Sequence, residues 1–144
     1  MPVSAVLKRK GRDVVTVHPT QTIAATAQIL AQHHIGAALV VDDLDHPVGI
    51  VSERDIVRIL ATEGETALAH VVAEVMTHPL VTCTPDHTMS EVMAVMTERH
   101  IRHLPVMDDG SLVGMVSIGD AVKARLDDAE LAVDNMRTLV TAVR

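Results

Sequence analysis

The sequence Gly49-Ile50-Val51-Ser52-Glu53-Arg54-Asp55 returns 65 residues later as Gly114-Met115-Val116-Ser117-Ile118-Gly119-Asp120. Each copy reads as a glycine, two apolar residues, a serine, two further residues and an aspartate, and a helical apolar pattern follows it. The apolar pair is typical of the end of a strand, and the serine is typical of the residue that caps a helix. A strand that runs into a helix in this way places backbone N–H groups and the positive end of the helix dipole at one point, which favours an anion.

The serine and the aspartate of each copy allow two interpretations. In a capping box, the serine side chain accepts a hydrogen bond from the amide of the fourth residue, whose side chain reaches back to the serine amide. Glutamate or glutamine is preferred at the fourth position, and we expect the shorter aspartate to reach less well, which leaves a role in binding a sugar diol open. The occurrence of the motif in two matching contexts favours ligand binding.

The rest of the chain repeats in the same way. Thr16 recurs as Thr82, and His34-Ile35 recurs as His100-Ile101, at an offset of 66 residues. The periodicity of the apolar residues predicts a β-α-β-β-α unit in each copy. One such unit of roughly 60 residues buries its sheet poorly alone, so the two are expected to pack face to face.

The predicted elements are ordered alike in the two halves. The first half has a short helix over 4–10, strands over 14–17, 37–41 and 48–51, and helices over 22–34 and 52–62. The second half has a short helix over 68–76, strands over 80–83, 104–107 and 112–116, and helices over 88–98 and 117–126. A further helix is predicted after Asp127, with a mixed apolar face formed by Leu131, Val133, Met136, Leu139 and Val140. This helix either covers its own domain or pairs with another chain, and the pattern slightly favours another chain.

Composition limits the function. The 144 residues carry a net charge of −7 and contain no Phe, Tyr or Trp, which disfavours nonspecific nucleic-acid or membrane binding and recognition of bases by aromatic stacking. The lone Cys83 cannot form an intrachain disulfide, and no run of 18 or more apolar residues occurs. We therefore expect a soluble cytoplasmic protein.

With these motifs the sequence resembles a tandem pair of CBS domains, the regulatory modules named after cystathionine β-synthase. The segments Thr16-Val17-His18-Pro19 and Arg102-His103-Leu104-Pro105-Val106 add to the repeated motif. The resemblance implies an α/β (more narrowly, α+β) fold of two β-α-β-β-α repeats packed face to face with pseudo-two-fold symmetry. It divides the chain into a first repeat (3–64), a second repeat (68–126) and a C-terminal helical extension (127–144).

The resemblance also implies a function. Such modules bind adenosine-containing ligands, with AMP, ATP or NAD as the main candidates beside ADP, NADH and S-adenosylmethionine. They commonly form homodimers and signal to an effector protein, which is unknown here. The expected function is therefore a regulatory sensor and not an enzyme.

Site residues carried over from the family form two clefts. Asp55 and Asp120 would hold ribose hydroxyls, and Ser52 and Ser117 would contact phosphate. Each aspartate would face residues of the other repeat: for Asp55 these are Val81, Thr82, Cys83, Ile101, Arg102 and His103, and for Asp120 they are Val15, Thr16, Ile35, Gly36 and Ala37. The apolar members would clamp the adenine ring.

The two clefts are expected to differ in charge. Arg102 and His103 can meet a phosphate, whereas their counterparts, Gly36 and Ala37, carry no charge. We therefore expect phosphate-rich ligands to prefer the Asp55 cleft.

Other function classes find less support in the sequence. The nine histidines lack ligands at zinc-like spacing, so no metal site is expected. There is no nucleophile elbow and no phosphate-binding loop, and no base accompanies the two serines. A structural homodimerisation module with vestigial clefts stays open as the alternative, and a small enzyme that acts on a nucleotide is less favoured.

Overall fold

The structure is a computed structural model that describes the backbone of residues 1–143 and the side chains of residues 1–138. In chain order its elements are α1 (Val3–Lys10), β1 (Thr16–Val17), α2 (Ile23–His33), β2 (Ala37–Val41), β3 (Pro47–Ser52), α3 (Glu53–Glu63), a 3-10 helix (Gly64–Ala69), α4 (Val72–Val75), α5 (Met89–Arg99), β4 (His103–Asp108), β5 (Ser111–Ser117) and α6 (Ile118–Val143). The α/β fold class that the sequence predicts is confirmed.

The chain folds into two units. Residues 14–81 form one, called here the first-repeat unit, and residues 1–13 together with residues 82 onward form the other, called the second-repeat unit. The predicted division at 3–64, 68–126 and 127–144 follows the sequence repeat and stays a prediction, as does the expectation that the repeats pack face to face.

The first-repeat unit contains a three-stranded sheet in the order β1-β2-β3. Strand β1 is parallel to β2, and β2 is antiparallel to β3. Helix α2 begins after Thr22, whose hydroxyl accepts a hydrogen bond from the Ala25 amide at 3.1 Å. The core beneath the sheet is aliphatic, as the absence of aromatic residues requires, and includes Val17, Ile23, Val40, Val51 and Val72.

The strand predicted over residues 80–83 does not form. Cys83 makes only an isolated parallel bridge with Val106. In the first-repeat unit, Leu39 of β2 donates its N–H to the residue that precedes β1 at 3.0 Å. The matching residue of β4 is Pro105, which has no N–H to donate. The second sheet therefore consists of β4 and β5 alone.

The two helices predicted over 117–126 and after Asp127 are one helix. Helix α6 runs for 26 residues without interruption. The acidic residues at 127–128 suggest a boundary, but no glycine or proline lies between Ala121 and Val143, so nothing in the backbone ends the helix. The side chains of Leu139 and Val140, part of the predicted apolar face, lie outside the described residues.

The leading helix of each repeat packs in the unit of the other repeat. Helix α1 begins the first repeat in sequence, yet Val3 donates its amide to the His87 carbonyl of the second repeat at 2.8 Å. Likewise, Val72 of α4 donates to the Gln21 carbonyl at 2.8 Å. Both units thus consist of one repeat's hairpin and helices plus a helix contributed by the other repeat.

The glycine of each repeated motif permits this packing. A Cβ placed on Gly114 would lie 2.7 Å from Leu7 Cδ2, and one on Gly49 would lie 2.6 Å from Met76 Sδ. Both distances are shorter than the contacts that real Cβ atoms make. The leading segments, which are α1 in one unit and α4 with the residues just after it in the other, therefore fill the space that a Cβ would need. The same glycine in both copies therefore serves the same contact.

We expect Gly49→Ala and Gly114→Ala each to lower the free energy of unfolding by about 1–3 kcal/mol, because the added methyl group overpacks the interior. Gly119→Ala is the matched control, since its Cβ would have Ser117 Oγ, at 3.6 Å, as the nearest atom. Alanine should stabilise that helical position by up to about 1 kcal/mol. Urea unfolding measures all three variants, and motif variants as stable as the parent would show that the contact is unimportant.

Candidate functional site

The candidate site consists of two equivalent turns, one in each unit. Strand β3 ends at Ser52 and α3 begins at the next residue, while β5 ends at Ser117 and α6 begins at the next residue. No loop separates strand from helix at either turn. The position of each serine is therefore set by a sheet on one side and by a helix on the other.

Both turns contain a complete capping box. Ser52 Oγ accepts from the Asp55 amide at 3.3 Å, and Asp55 Oδ2 accepts from the Ser52 amide at 2.9 Å and from its hydroxyl at 3.0 Å. In the second copy, Ser117 Oγ accepts from the Asp120 amide at 3.2 Å, and Asp120 Oδ2 accepts from the Ser117 amide at 2.8 Å. The expectation that aspartate reaches the serine amide poorly is therefore wrong.

The two aspartates differ in their remaining partners. Thr77 Oγ1 donates to Asp55 Oδ1 at 3.3 Å, and Asp55 is only 8% exposed. Lys10 Nζ instead lies 2.7 Å from Asp120 Oδ2 and also donates to the Met115 carbonyl at 3.0 Å. The second-repeat unit thus holds its motif aspartate in an ion pair, whereas the first holds it with a neutral hydroxyl.

This ion pair changes the acidity of Asp120. Burial by itself would raise the pKa of the carboxyl group, but the hydrogen bond and charge of Lys10, together with the hydrogen bonds from Ser117, outweigh it. The pKa of Asp120 therefore lies below its usual range. Asp120 is consequently a carboxylate at neutral pH and accepts hydrogen bonds only.

Each turn adjoins the segment that leads into the neighbouring strand. In the first-repeat unit, the amide that begins α3 donates to the Gly36 carbonyl at 2.9 Å, and Ala37 pairs with Ser52. In the second-repeat unit, the amide that begins α6 donates to the Arg102 carbonyl at 2.8 Å, and His103 pairs with Ser117. Each motif serine thus lies beside these residues of its own repeat.

The remaining predicted site residues lie on the same strands and connections. Exposed or half-buried residues are Val15, Thr16, Ile35, Val81, Thr82 and Ile101, while Cys83 is buried. The sequence-based assignment groups Asp55 with Arg102 and His103, which belong to a different unit. This grouping, and the matching one for Asp120, stays a prediction.

A cavity of about 510 Å³ lies on the first-repeat unit between α2 and α3. Its lining is mainly aliphatic: Ala27, Leu30, Ala31, His34, Ile35, Gly36, Glu53, Ile56 and Val57. Ile35 and Gly36 were predicted as site residues, and the alanines of α2 indicated close approach of another element. The contribution of α3 was missed, although Val57 is 63% exposed and apolar.

Cys83 has the properties of a structural residue. It is 4% exposed, and burial raises the pKa of its thiol to about 11. A thiol with that pKa is protonated at neutral pH and is a poor nucleophile. The buried position agrees with packing beside β4, where its carbonyl accepts from the Met107 amide at 2.8 Å.

Sequence reasoning also missed an acidic pair around His70. The imidazole contacts Glu63 at the end of α3 and Glu74 in α4. The hydrogen bond that the imidazole donates to Glu74, followed by the charges of both glutamates, raises the pKa of His70 despite some desolvation. Among the described residues, no three His, Cys, Asp or Glu side chains lie close enough together to bind a metal ion.

None of the helices in the residues that the structure describes has the length and hydrophobicity needed to cross a membrane.

Comparison with known proteins identifies a family that shares these two repeats. The family model for the CBS domain matches residues 3–62 and 72–127. A solved CBS-domain-containing protein from Agrobacterium tumefaciens is 44% identical, with a TM-score of 0.84 over 86% of this chain and 92% of that one.

Two further solved relatives carry ligands. A CBS domain protein from Pyrobaculum aerophilum, complexed with AMP, is 30% identical, with a TM-score of 0.73 over 83% of this chain and 89% of that one. The CBS domain pair of protein MJ0100, in complex with 5′-methylthioadenosine and S-adenosyl-L-methionine, is 28% identical, with a TM-score of 0.76 over 90% of this chain and 98% of that one.

The first curated relatives are longer than this chain. It spans 58% of an uncharacterized protein from Methanopyrus kandleri and 63% of a mitochondrial CBS domain-containing protein from Arabidopsis thaliana. Each is 34% identical, over 78% and 85% of this chain respectively.

We expect Lys10→Met to lower the free energy of unfolding at neutral pH by up to about 1 kcal/mol, since the ion pair is partly exposed. The pKa of Asp120 is depressed in the folded state, so its contribution is present above the unfolded-state pKa of about 3.9 and is lost as pH falls through the folded value. The difference between parent and variant should therefore shrink below pH 4.

Urea unfolding between about pH 7 and pH 3 measures this dependence. Lys8→Met is the control, because it removes the same charge from α1 without touching the Asp120 pair. A stability difference for Lys10→Met that does not change with pH, or that Lys8→Met reproduces, would contradict the assignment.

Proposed function

The chain belongs to the CBS-domain family, and on this premise we propose that it is a regulatory module that binds an adenosine-containing ligand and signals the binding to a partner protein. The main support for the proposal is the duplicated turn. In both copies a strand ends at a serine that caps a helix, and the serine is bonded to an aspartate that is either buried or ion-paired. The adenosine ligands of the related CBS structures support the class of ligand.

The capped aspartate is suited to hold a ribose diol. A carboxylate offers about four lone-pair positions. Asp55 accepts three hydrogen bonds, one of them a long bond of 3.3 Å from Thr77. A sugar hydroxyl can therefore add to this carboxylate or replace Thr77. The cap fixes the carboxylate before the ligand arrives, which lowers the entropic cost of binding.

Adenine must be held without aromatic stacking, because the chain has no Phe, Tyr or Trp. We propose that the aliphatic side chains Val15, Ile35, Val81 and Ile101 enclose the ring and that backbone groups beside them read its edge. Half-buried aliphatic residues at these positions support this role, since they offer apolar area without being locked into the core.

We propose the residues that contact phosphate from the positively charged and imidazole side chains near the two turns. Arg102, a guanidinium, and His103, an imidazole, lie beside the second turn, and the sequence-based hypothesis has them contact a phosphate-rich ligand at Asp55. Lys10 is a further cation, and its pairing with Asp120 adds a constraint: a ligand that uses Asp120 competes with this ammonium group or gains it as a phosphate partner. AMP, ADP, ATP and NAD-type molecules all present phosphate to such groups, and S-adenosylmethionine does not.

The proposed signalling depends on the thermodynamic coupling between ligand binding and a conformational equilibrium. A ligand shifts an equilibrium between two arrangements only by the difference between its affinities for them. We propose that the arrangement of the two repeats, or of a homodimer formed in the cytoplasm, changes in this way and that an effector protein reads the change. The apolar cavity between α2 and α3 offers a surface for the second copy.

Two other functions predict different results. A structural dimerisation module with vestigial clefts would not be stabilised by any nucleotide. An enzyme acting on the nucleotide would convert it. The buried, protonated Cys83 weighs against turnover. The expectation that no base accompanies the motif serines is wrong for Ser52, whose hydroxyl donates to the Asp55 carboxylate at 3.0 Å.

The test is thermal unfolding with AMP, ADP, ATP, NAD, NADH and S-adenosylmethionine, each at about a hundred times its dissociation constant, where a true ligand adds roughly 2.7 kcal/mol of stability. We expect one class of compound to raise the unfolding temperature. Asp55→Asn and Asp120→Asn should each reduce or abolish the rise, and the two changes combined should abolish it, because the diol loses its charged acceptor.

Each variant must be compared with its own ligand-free form, since loss of a cap alone costs about 1 kcal/mol. Asp109→Asn is the matched control, because it neutralises an aspartate in the β4–β5 turn, where asparagine tolerates the positive φ of 50°. Chromatography of the nucleotide after incubation detects turnover. Stabilisation that survives when Asp55→Asn and Asp120→Asn are combined in one chain would exclude the proposed sites, and no stabilisation by any compound would favour the dimerisation module.

A further inference from the structure

The second half of α6 has no core to pack on within the described residues. Ala121 and Ala124 are buried at the start of the helix, and the salt bridges from Asp127 to Arg9 at 3.0 Å and from Asp128 to the Met1 amino group at 3.3 Å follow. Every side chain from 128 to 138 is exposed. A helix segment of this length is marginal in water without a packed face, so a partner is needed to account for its apolar residues.

Those apolar residues form a regular seam. Val122, Leu126, Ala129, Val133 and Met136 follow one another at steps of four, three, four and three residues. This is the 3.5-residue period of a coiled coil, in which Leu126 and Val133 take the a positions and the other three take the d positions. Leu126 is 58% exposed, Val133 49% and Met136 69%. The sequence continues the spacing with valines at positions 140 and 143.

We propose that this seam pairs with the same seam of a second copy of the chain, as a parallel two-stranded coiled coil. Charge complementarity identifies the occupant. Arg125 and Glu130 flank the seam at a g position and the following e position, and a parallel pair sets each Arg125 against the Glu130 of the other copy. The sequence is thus complementary to itself.

Arg125 can make this contact. It is exposed, and its Nη1 atom lies 3.9 Å from Met93 Sδ, which is a weak acceptor that a carboxylate readily replaces. Glu130 is also exposed. In the paired form, the two cross-helix ion pairs would fix both register and direction.

The seam is distinct from the duplicated turns and from the α2–α3 cavity. Failure of this proposal therefore leaves ligand binding untouched, and failure of ligand binding leaves the seam intact. Leu131 provides an internal reference, because it is 60% exposed and lies on the same helix segment but at an f position, away from the seam.

Disulfide trapping tests the seam in the full chain. In a Cys83→Ala background, Met136→Cys should form a covalent dimer rapidly under mild oxidation, because a parallel register places the two d positions together. Leu131→Cys, at a similarly exposed position, should not. No dimer from Met136→Cys, or equal dimer from both variants, would overturn the proposal.

A charge swap tests its direction. Glu130→Arg should slow trapping of Met136→Cys, since each copy then sets arginine against arginine, and the added change Arg125→Glu should restore it. Circular dichroism of each variant confirms that the chain is folded. Trapping that is unaffected by Glu130→Arg, or that the double variant does not recover, would refute the parallel pairing.

Discussion

The reciprocal hydrogen bonds between the motif serine and aspartate are the constraint on which the rest of this structure depends. Each pair closes a capping box at a point where a strand becomes a helix without a loop. The cap satisfies helix N–H groups that would otherwise lack partners, and it holds a carboxylate in place at the positive end of a helix dipole. Capping and ligand binding are therefore compatible roles of one aspartate, because the same bonds that end the strand position the acceptor.

The two copies of this turn are built alike but stabilised differently. In both, a side chain from the other repeat's leading segment lies over the motif glycine. That segment also supplies the partner of the aspartate: a hydroxyl from Thr77 in one unit and an ammonium group from Lys10 in the other. Exchange of the leading segments thus makes each turn depend on both repeats, and it gives the two turns unequal charge.

Much of this could be predicted from the sequence, because the repeat tests every local pattern twice. Helices α1, α2, α3 and α5 and all five strands follow from apolar periodicity and from caps such as Thr22. The sequence also predicts a sixth strand, over residues 80–83, which does not form. Its absence follows from Pro105 of the neighbouring strand, which has no N–H to donate, and the sequence analysis did not take this into account. The pairing of Lys10 with Asp120 spans 110 residues and is not encoded by any local pattern. The continuity of α6 was obscured by two acidic residues that fit a helix as well as a turn.

Backbone amide chemical shifts of the 15N-labelled chain, titrated in turn with AMP, ADP, ATP, NAD, NADH and S-adenosylmethionine, test the central claim most directly. If the capped turns are the ligand sites, the largest shifts should fall on residues 52–55, on residues 117–120, or on both, because a new hydrogen bond to either carboxylate perturbs the amide that it caps. A nucleotide that shifts amides elsewhere and leaves both turns unchanged would contradict the account, as would the absence of any shift at the turns with all six compounds.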